Sequence, residues 1–402
     1  MSPTGSPTES STERATGNVR ALVLVFALNG FLMAQVFSRI PALRDQVGAS
    51  TARLGLALVA VGIGSIVAMP WTARLTTRFG SSTVVLVSGL LNICAWAALA
   101  FVRTPDALTV ALFTVGLCMG VWDVSMNVQG NTLEHRRRRV LMPKLHAGFS
   151  AGTVLGALTG AAAAGADLPV NVQFPTVCAL AVVVLLLSVR RFAPDAADEP
   201  SEGTSRAEAR RQGRSRMTGV EILLGLLTFS TALGEGAAND WLALVLVDER
   251  GAQQAVGALT FAAFNVAMTV GRLGGGALIR RLGRTPVLRM SGATAVSGVL
   301  LVALVPSLVA AVAGGMLWGL GLAVVFPAAM SAAGEIPGRG PHAIGVVSTI
   351  GYAGFLAGAP TIGLFAERVG LDLALLVVAA VCSLVFLLAG AARERSGPML
   401  AR

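Results

Sequence analysis

Apolar residues along this chain fall into twelve runs, and the short connections between them hold most of the charge. A run of about 20 residues, coiled as a helix, crosses a hydrocarbon core about 30 Å thick. The runs predict spanning helices near 20–42, 54–73, 83–102, 107–130, 146–166, 174–190, 218–247, 254–276, 287–305, 308–332, 343–366 and 371–391. Polar residues inside them are few and isolated, and at membrane depth such residues are costly unless they face a partner or a water-filled cavity.

The second half of the pattern repeats the first at an offset of about 203 residues. Gly80 and Gly283 each sit in a short basic turn between two apolar runs, and the same offset takes Asp45 to Asp248, Gly48 to Gly251, Gly116 to Gly319, Gly148 to Gly351 and Gly160 to Gly363. An apolar chain of two equal halves is the sequence mark of a transporter whose binding site lies between them. The expected organisation is a disordered cytoplasmic N-terminus over 1–18, an N-terminal six-helix bundle over 19–190, a solvated cytoplasmic linker over 191–217, a C-terminal bundle over 218–392 and a cytoplasmic tail over 393–402. The first run is too long for a signal peptide and leads into further spans, so an uncleaved first helix is expected.

Composition agrees: 54% of residues are apolar and 13% charged, against roughly one-quarter charged in soluble domains. A net charge of +10 would fit a nucleic-acid binder, but the bases lie in connections rather than along one polar face. Their sidedness is informative. If the termini share one side, the other side holds only Arg39, Arg44, Arg53, Arg103, Arg250 and Arg368 and a span holds Arg272, leaving 24 of the 31 Lys and Arg with the termini. The excess predicts cytoplasmic termini in a plasma (inner) membrane. Cys94, Cys118, Cys178 and Cys382 all lie in apolar runs without paired spacing and read as packing residues.

The basic turns carry a motif. Ala73-Arg74-Leu75-Thr76-Thr77-Arg78-Phe79-Gly80 and Gly276-Ala277-Leu278-Ile279-Arg280-Arg281-Leu282-Gly283-Arg284 follow G-x-L-x-D-R-x-G-R. With the twelve spans and the repeat, they make the chain resemble the major facilitator superfamily, whose signature loop joins helices two and three and recurs between eight and nine. The resemblance implies an all-α membrane protein of twelve transmembrane helices in two pseudo-symmetric six-helix bundles, working by alternating access and usually as a monomer. It assigns Arg78, Gly80, Arg280, Arg281, Gly283 and Arg284 to cytoplasmic gating loops. Thr77 and Arg280 stand where the family has Asp, and Ala73 where it has Gly. A plain tight turn with basic anchors is the alternative reading of the same residues.

Further segments narrow the resemblance. Gly120-Val121-Trp122-Asp123-Val124-Ser125-Met126-Asn127, Met142-Pro143-Lys144-Leu145-His146-Ala147-Gly148-Phe149-Ser150, Arg39-Ile40-Pro41-Ala42-Leu43-Arg44 and Glu235-Gly236-Ala237-Ala238-Asn239-Asp240-Trp241 are similar to the branch around the rhizopine-transport protein. That branch is distantly similar to the fucose and glucose/galactose proton symporters, which carry an acidic residue in helix four at the place of Asp123.

Asp123 also stands out without the family, because no cation lies within a turn or two of it. Such a carboxylate faces a cavity or a partner, or exchanges a proton. It is a coupling residue, a substrate ligand, or half of an ion pair with an Arg of the following loop. Glu235 and Asn239, four apart, share one helix face, with Asp240 about 100° further round. Arg272 in the eighth span is the candidate to neutralise an acid. His146 reads either as a packing or capping residue or as a proton relay or ligand. Candidate cavity groups are Asn29, Gln35, Trp122, Asn127, Gln129, Asn239, Trp241, Asn265, Trp318 and Tyr352. Amides hydrogen-bond hydroxyls and an indole presents a flat face to a sugar ring, although interhelical amide bonds and interfacial Trp belts use the same residues. Glycines at every fourth position in span five (Gly148, Gly152, Gly156, Gly160) permit close helix approach, and Gly351, Gly354, Gly358 and Pro360 predict a weakened or kinked span eleven.

The sequence contains no phosphate-cradling loop, no His/Cys metal spacing and no nucleophile elbow, so neither an enzyme, a metal site nor a cofactor is expected. The expected partners are a small-molecule substrate, protons and the lipid bilayer, with no nucleic acid. The resulting expectation is a secondary active carrier of a small polar organic solute, proton-coupled and sugar- or polyol-like. The alternatives are a proton-driven exporter of a drug or secondary metabolite and a transport-dead membrane sensor.

Overall fold

The computed structural model describes residues 19–137, 139, 141–192 and 217–394. The N-terminal segment 1–18, most of the expected linker and residues 395–402 of the tail lie outside the described residues. The described chain is helical, and twelve of its helical stretches are long and apolar enough to cross a membrane.

The helices are α1 (Val19–Phe37), α2 (Ile40–Val47), α3 (Thr51–Phe79), α4 (Ser81–Ala98), α5 (Pro105–Arg137), α6 (Met142–Gly165) and α7 (Val170–Val189). They continue as α8 (Gly219–Asp248), α9 (Gln254–Leu282), α10 (Arg284–Leu304), α11 (Leu308–Leu322), α12 (Val325–Gly334), α13 (Gly340–Val369) and α14 (Leu371–Leu388). The first predicted span is broken at Ser38–Arg39, where Pro41 starts the separate helix α2. The second runs on through Pro70 to Phe79.

The structure falls into two units, one formed by residues 19–48 and 60–192 and the other by 49–59 and 217–394. The expected halves differ from these in one place: residues 49–59, at the start of α3, pack with the second unit. The reason is close approach, since Gly55 lies against the Ala359 backbone and the Ala52 amide donates to Glu367 at 3.2 Å.

Within each unit the repeat governs packing. The most extensive helix pairs are α1 with α6 in the first unit and α8 with α13 in the second, the same pair in each half. Gly116 sits against the Val61 carbonyl, and Gly319, 203 residues on, against that of Phe264, itself 203 after Val61. Turns repeat as well: φ is 63° at Gly48 and 62° at Gly251, 81° at Gly80 and 82° at Gly283. The last pair is Asp167 (φ 51°) with Gly370 (φ 86°), so the first half holds this left-handed position with an Asp, one of the few side chains that tolerate it.

Span eleven, expected to be weakened or kinked, is one continuous helix: α13 runs through Gly351, Gly354, Gly358 and Pro360. Two of its glycines serve contact instead, Gly351 against the Thr228 side chain and Gly354 against the Phe229 backbone. The break lies in span ten, between α11 and α12 at Ala323–Val324. In α6, Gly148, Gly152 and Gly156 lie against Val23, Ala27 and Phe31 of α1, and a side chain on any of them would drive the two helices apart.

Ion pairs tie the ends of the second unit. A capping box of Thr218 and Glu221 starts α8, and buried Glu221 also accepts from Arg339 at 2.9 and 3.1 Å. That carboxylate holds the Arg339 guanidinium above its usual range. Arg284 at the start of α10 is buried and bonds both oxygens of Glu335, at 2.6 and 3.0 Å, and the Ala392 carbonyl.

Candidate functional site

The polar groups of α8 define the candidate site. From Ser230 to Leu246 every residue is buried except Glu235 and Asn239. Their four-residue spacing puts both on one face, so a helix otherwise sealed by packing opens at two polar side chains. Glu235 is paired: Nη2 of Arg272, from α9, lies 3.2 Å from each carboxylate oxygen, and the side chains are 24% and 39% exposed. An ion pair with that much accessible surface inside two apolar spans faces water rather than lipid. The Asn239 side chain makes no hydrogen bond among the described residues and is part-exposed.

Asp240, the next residue, turns into the unit and is 9% exposed. Among the described residues no cation or hydrogen-bond donor reaches its carboxylate. In the first unit, Asp123 on α5 accepts from Asn127 at 3.4 Å, and the same amide bonds the Asp123 carbonyl at 2.8 Å. An Arg of the following loop was one candidate partner for Asp123; among the described residues it makes no ion pair. Among the described residues, neither Asp123 nor Asp240 has a cation partner.

The remaining candidates divide by placement. His146 is exposed at the start of α6, its ring edge-on to Phe26 at 5.5 Å. Trp122, Trp241 and Trp318 are fully buried, and among the described residues their indole nitrogens find no partner. Trp122 packs on Gly89, Trp241 lies beside Gly363 and Trp318 meets Phe264 edge-on at 5.9 Å, so none of the three offers a face to solvent in this conformation. Asn29 is buried with its amide 3.8 Å from the Met126 sulfur, and Asn265 caps the Phe261 carbonyl at 2.9 Å. Tyr352 is 53% exposed.

Gln35 and Gln129 spend their amides inside the first unit. Gln129 accepts from Ser81 at 2.5 Å. Gln35 donates to the Gly156 carbonyl and to Thr159, and accepts from Gln173 at 2.6 Å. This chain joins α1, α6 and α7. The hydropathy reading misses Gln173 because it starts the sixth span at 174, whereas α7 starts at Val170. Arg39, counted in the sequence only among the bases on the side away from the termini, is 4% exposed, and among the described residues its side chain has one bond, to the Leu168 carbonyl at 2.9 Å. Burial lowers its pKa from the ordinary value, with nearby Asp167 acting the other way. Nothing in the local sequence distinguishes it from the exposed arginines.

Of the gating-loop residues, Arg78, Arg280 and Arg281 are exposed, Gly80 and Gly283 make the left-handed turns, and Arg284 is the one locked into an ion pair. In the first copy Ser81 stands where the repeat puts Arg284.

A family profile described as Major Facilitator Superfamily matches residues 22–339 and 224–400. An uncharacterised MFS-type transporter of Yersinia pestis is 33% identical over 377 residues, covering 93% of this chain and 94% of that protein. Membrane protein MosC of Rhizobium meliloti is 29% identical over 389 residues, covering 94% and 91%. Among solved structures, a D323A mutant of the nucleoside transporter NupG superposes with a TM-score of 0.77 at 13% identity, covering 93% of this chain and all of that one.

Proposed function

Because the chain belongs to the Major Facilitator Superfamily and is a multi-pass membrane transporter, we propose that it is a proton-coupled carrier of a small polar organic solute. The solute is sugar- or polyol-like, and the carrier works by alternating access in the plasma membrane with both termini in the cytoplasm. The observation that carries this reading is the face of α8. Between Ser230 and Leu246, a stretch otherwise buried, the helix exposes an amide and a charge pair, groups that hydrogen-bond several hydroxyls at once and offer little to a purely apolar cargo. The fold neighbour is named as a nucleoside transporter, and a nucleoside is a small polar organic solute.

Roles follow from pairing. Glu235 is paired with Arg272, so the pair and Asn239 bind and orient solute. Asp123 and Asp240 lack a cation, and an unpaired carboxylate at membrane depth is the group whose charge is cheapest to remove by taking up a proton. Coupling follows if solute and proton bind more favourably together than either alone.

Protein reconstituted in liposomes with a pH-sensitive dye, given pooled sugars, polyols and amphipathic drugs, tests the proposal. External alkalinisation on adding a sugar or polyol pool is expected, and Asp123→Asn or Asp240→Asn should abolish solute-driven proton movement while solute counterflow persists. The coupling assignment fails if both variants keep pH-driven uptake of every solute the native protein carries. Proton release from acid-loaded vesicles on adding drugs would replace it with export, and binding without flux would replace it with a sensor.

A further inference from the structure

We propose that the first unit binds an anionic phospholipid, with one acyl chain in a groove between α3 and α4 and the phosphate on Arg74 and Arg78. The groove is a gap of about 580 Å³ floored by α5, and Val67, Trp71, Phe79, Val87, Leu91 and Leu117 are among its walls. Val67, Trp71, Phe79, Val87 and Leu91 are exposed. An apolar surface exposed at membrane depth meets acyl chains rather than water. From Val67 to Phe79 the wall rises 12 residues, about 18 Å along the helix, close to the ~15 Å depth of one leaflet of a ~30 Å core.

The charge at the groove's end selects the headgroup. Val67, Trp71, Arg74 and Arg78 follow one another at steps of four, three and four residues and so form a single stripe on α3. The Arg74 guanidinium lies 5.2 Å from the Trp71 ring and that of Arg78 5.2 Å from the Phe79 ring, so each cation rests on an aromatic group that lines the groove. Both arginines are exposed, and among the described residues neither has an ion-pair partner. The motif's usual acid is absent, since Thr77 turns its hydroxyl back to the Ala73 carbonyl at 2.7 Å. Two unpaired guanidiniums at the mouth of an apolar slot match a phosphate joined to a chain.

The feature is not part of the repeated scaffold. At the offset of 203, Trp71 becomes Gly274 and Arg74 becomes Ala277. The second half keeps the basic turn without the aromatic-cation stripe.

The chain carries its own probe. Of its five tryptophans, Trp71 is 58% exposed while Trp96, Trp122, Trp241 and Trp318 are at most 3% exposed. Purified full-length protein in vesicles containing phosphatidylglycerol or phosphatidylcholine with brominated chains reports contact through quenching of Trp71, and Trp71→Phe identifies the signal. Phosphatidylglycerol is expected to be preferred about fivefold per arginine, about 25-fold in all. The preference should fall towards unity in Arg74→Gln/Arg78→Gln. It should fall also in Val87→Phe, which fills the groove and leaves the cations in place. Equal quenching by the two lipids overturns the proposal. So does a preference that survives Val87→Phe, which would put the headgroup on the rim without a chain in the groove. Competition by millimolar inorganic phosphate would make the rim a site for free phosphate and overturn it too. Retained circular dichroism and unfolding temperature separate loss of binding from loss of fold.

Discussion

The Glu235–Arg272 pair is the place where stability and transport are most readily separated. At 3.2 Å from each carboxylate oxygen, the gross attraction is about 5 kcal/mol at an effective dielectric of about 20. Much of it is offset. The two side chains are 24% and 39% exposed, water screens them, and ordering two flexible side chains costs entropy, so a net coupling of about 1–2 kcal/mol is expected. Glu235→Gln and Arg272→Gln each leave the partner uncompensated and should lower the apparent unfolding temperature in detergent by about 2–4 °C per kcal/mol. The double variant should lose less than the sum of the singles, and exchanging the two residues (Glu235→Arg with Arg272→Glu) should recover most of the stability. Uptake into liposomes should be lost in all four variants, because the exchange restores the pair but reverses the charges presented to the solute. Additive losses in the single and double variants would refute the coupling. An exchange variant that recovered both stability and uptake would reduce the pair to a structural brace.

Two further perturbations test the packing. Gly152→Val should cost about 1–3 kcal/mol in thermal unfolding, because its Cβ would fall on the Ala27 carbonyl of α1, whereas Leu155→Ala at an exposed position of the same helix should stay within about 0.5 kcal/mol. Arg284→Gln should lower stability by about 2–4 kcal/mol, leaving Glu335 and the Ala392 carbonyl without their donor. Arg284→Lys should rescue only part of that, since an ammonium cannot form the two-point contact.

Hydropathy and the repeat carried the fold because both reflect constraints on every span. Twelve runs of membrane length became twelve helical stretches long enough to cross a membrane, and the glycine pairs at the fixed offset became matching turns and close approaches. In span eleven a glycine has two meanings: a weak point, or a place where another backbone comes near. Only the neighbour decides, and Gly351 and Gly354 have α8 against them. The same limit applies to the polar residues. Glu235 and Asn239 were legible as one face from their spacing, but that this face is the opening in a buried helix depends on how the other helices cover it. Trp122, Trp241 and Trp318 carry the same chemistry in the sequence and are sealed in the helix packing.

What the two halves do not share shows how the transporter uses its symmetry. At the offset of 203, Asp123 maps to Phe326, Glu235 to Leu32, Asp240 to Phe37 and Arg272 to Met69. None of the charged groups inside the spans is duplicated, whereas the turn positions and the Gly116/Gly319 contacts are. The repeated residues are those set by backbone geometry: a positive φ at the turns and a close backbone approach at Gly116 and Gly319. A buried charge has the opposite economics: each one is costly at membrane depth, so a second copy persists only where it has its own task. The α8–α9 charge pair belongs to one half, the carboxylates Asp123 and Asp240 to one half each, and the aromatic-cation stripe of α3 to the other half alone. A symmetric scaffold therefore carries an asymmetric set of charges, and it is in that asymmetry that the chemistry of solute, proton and lipid has to be sought.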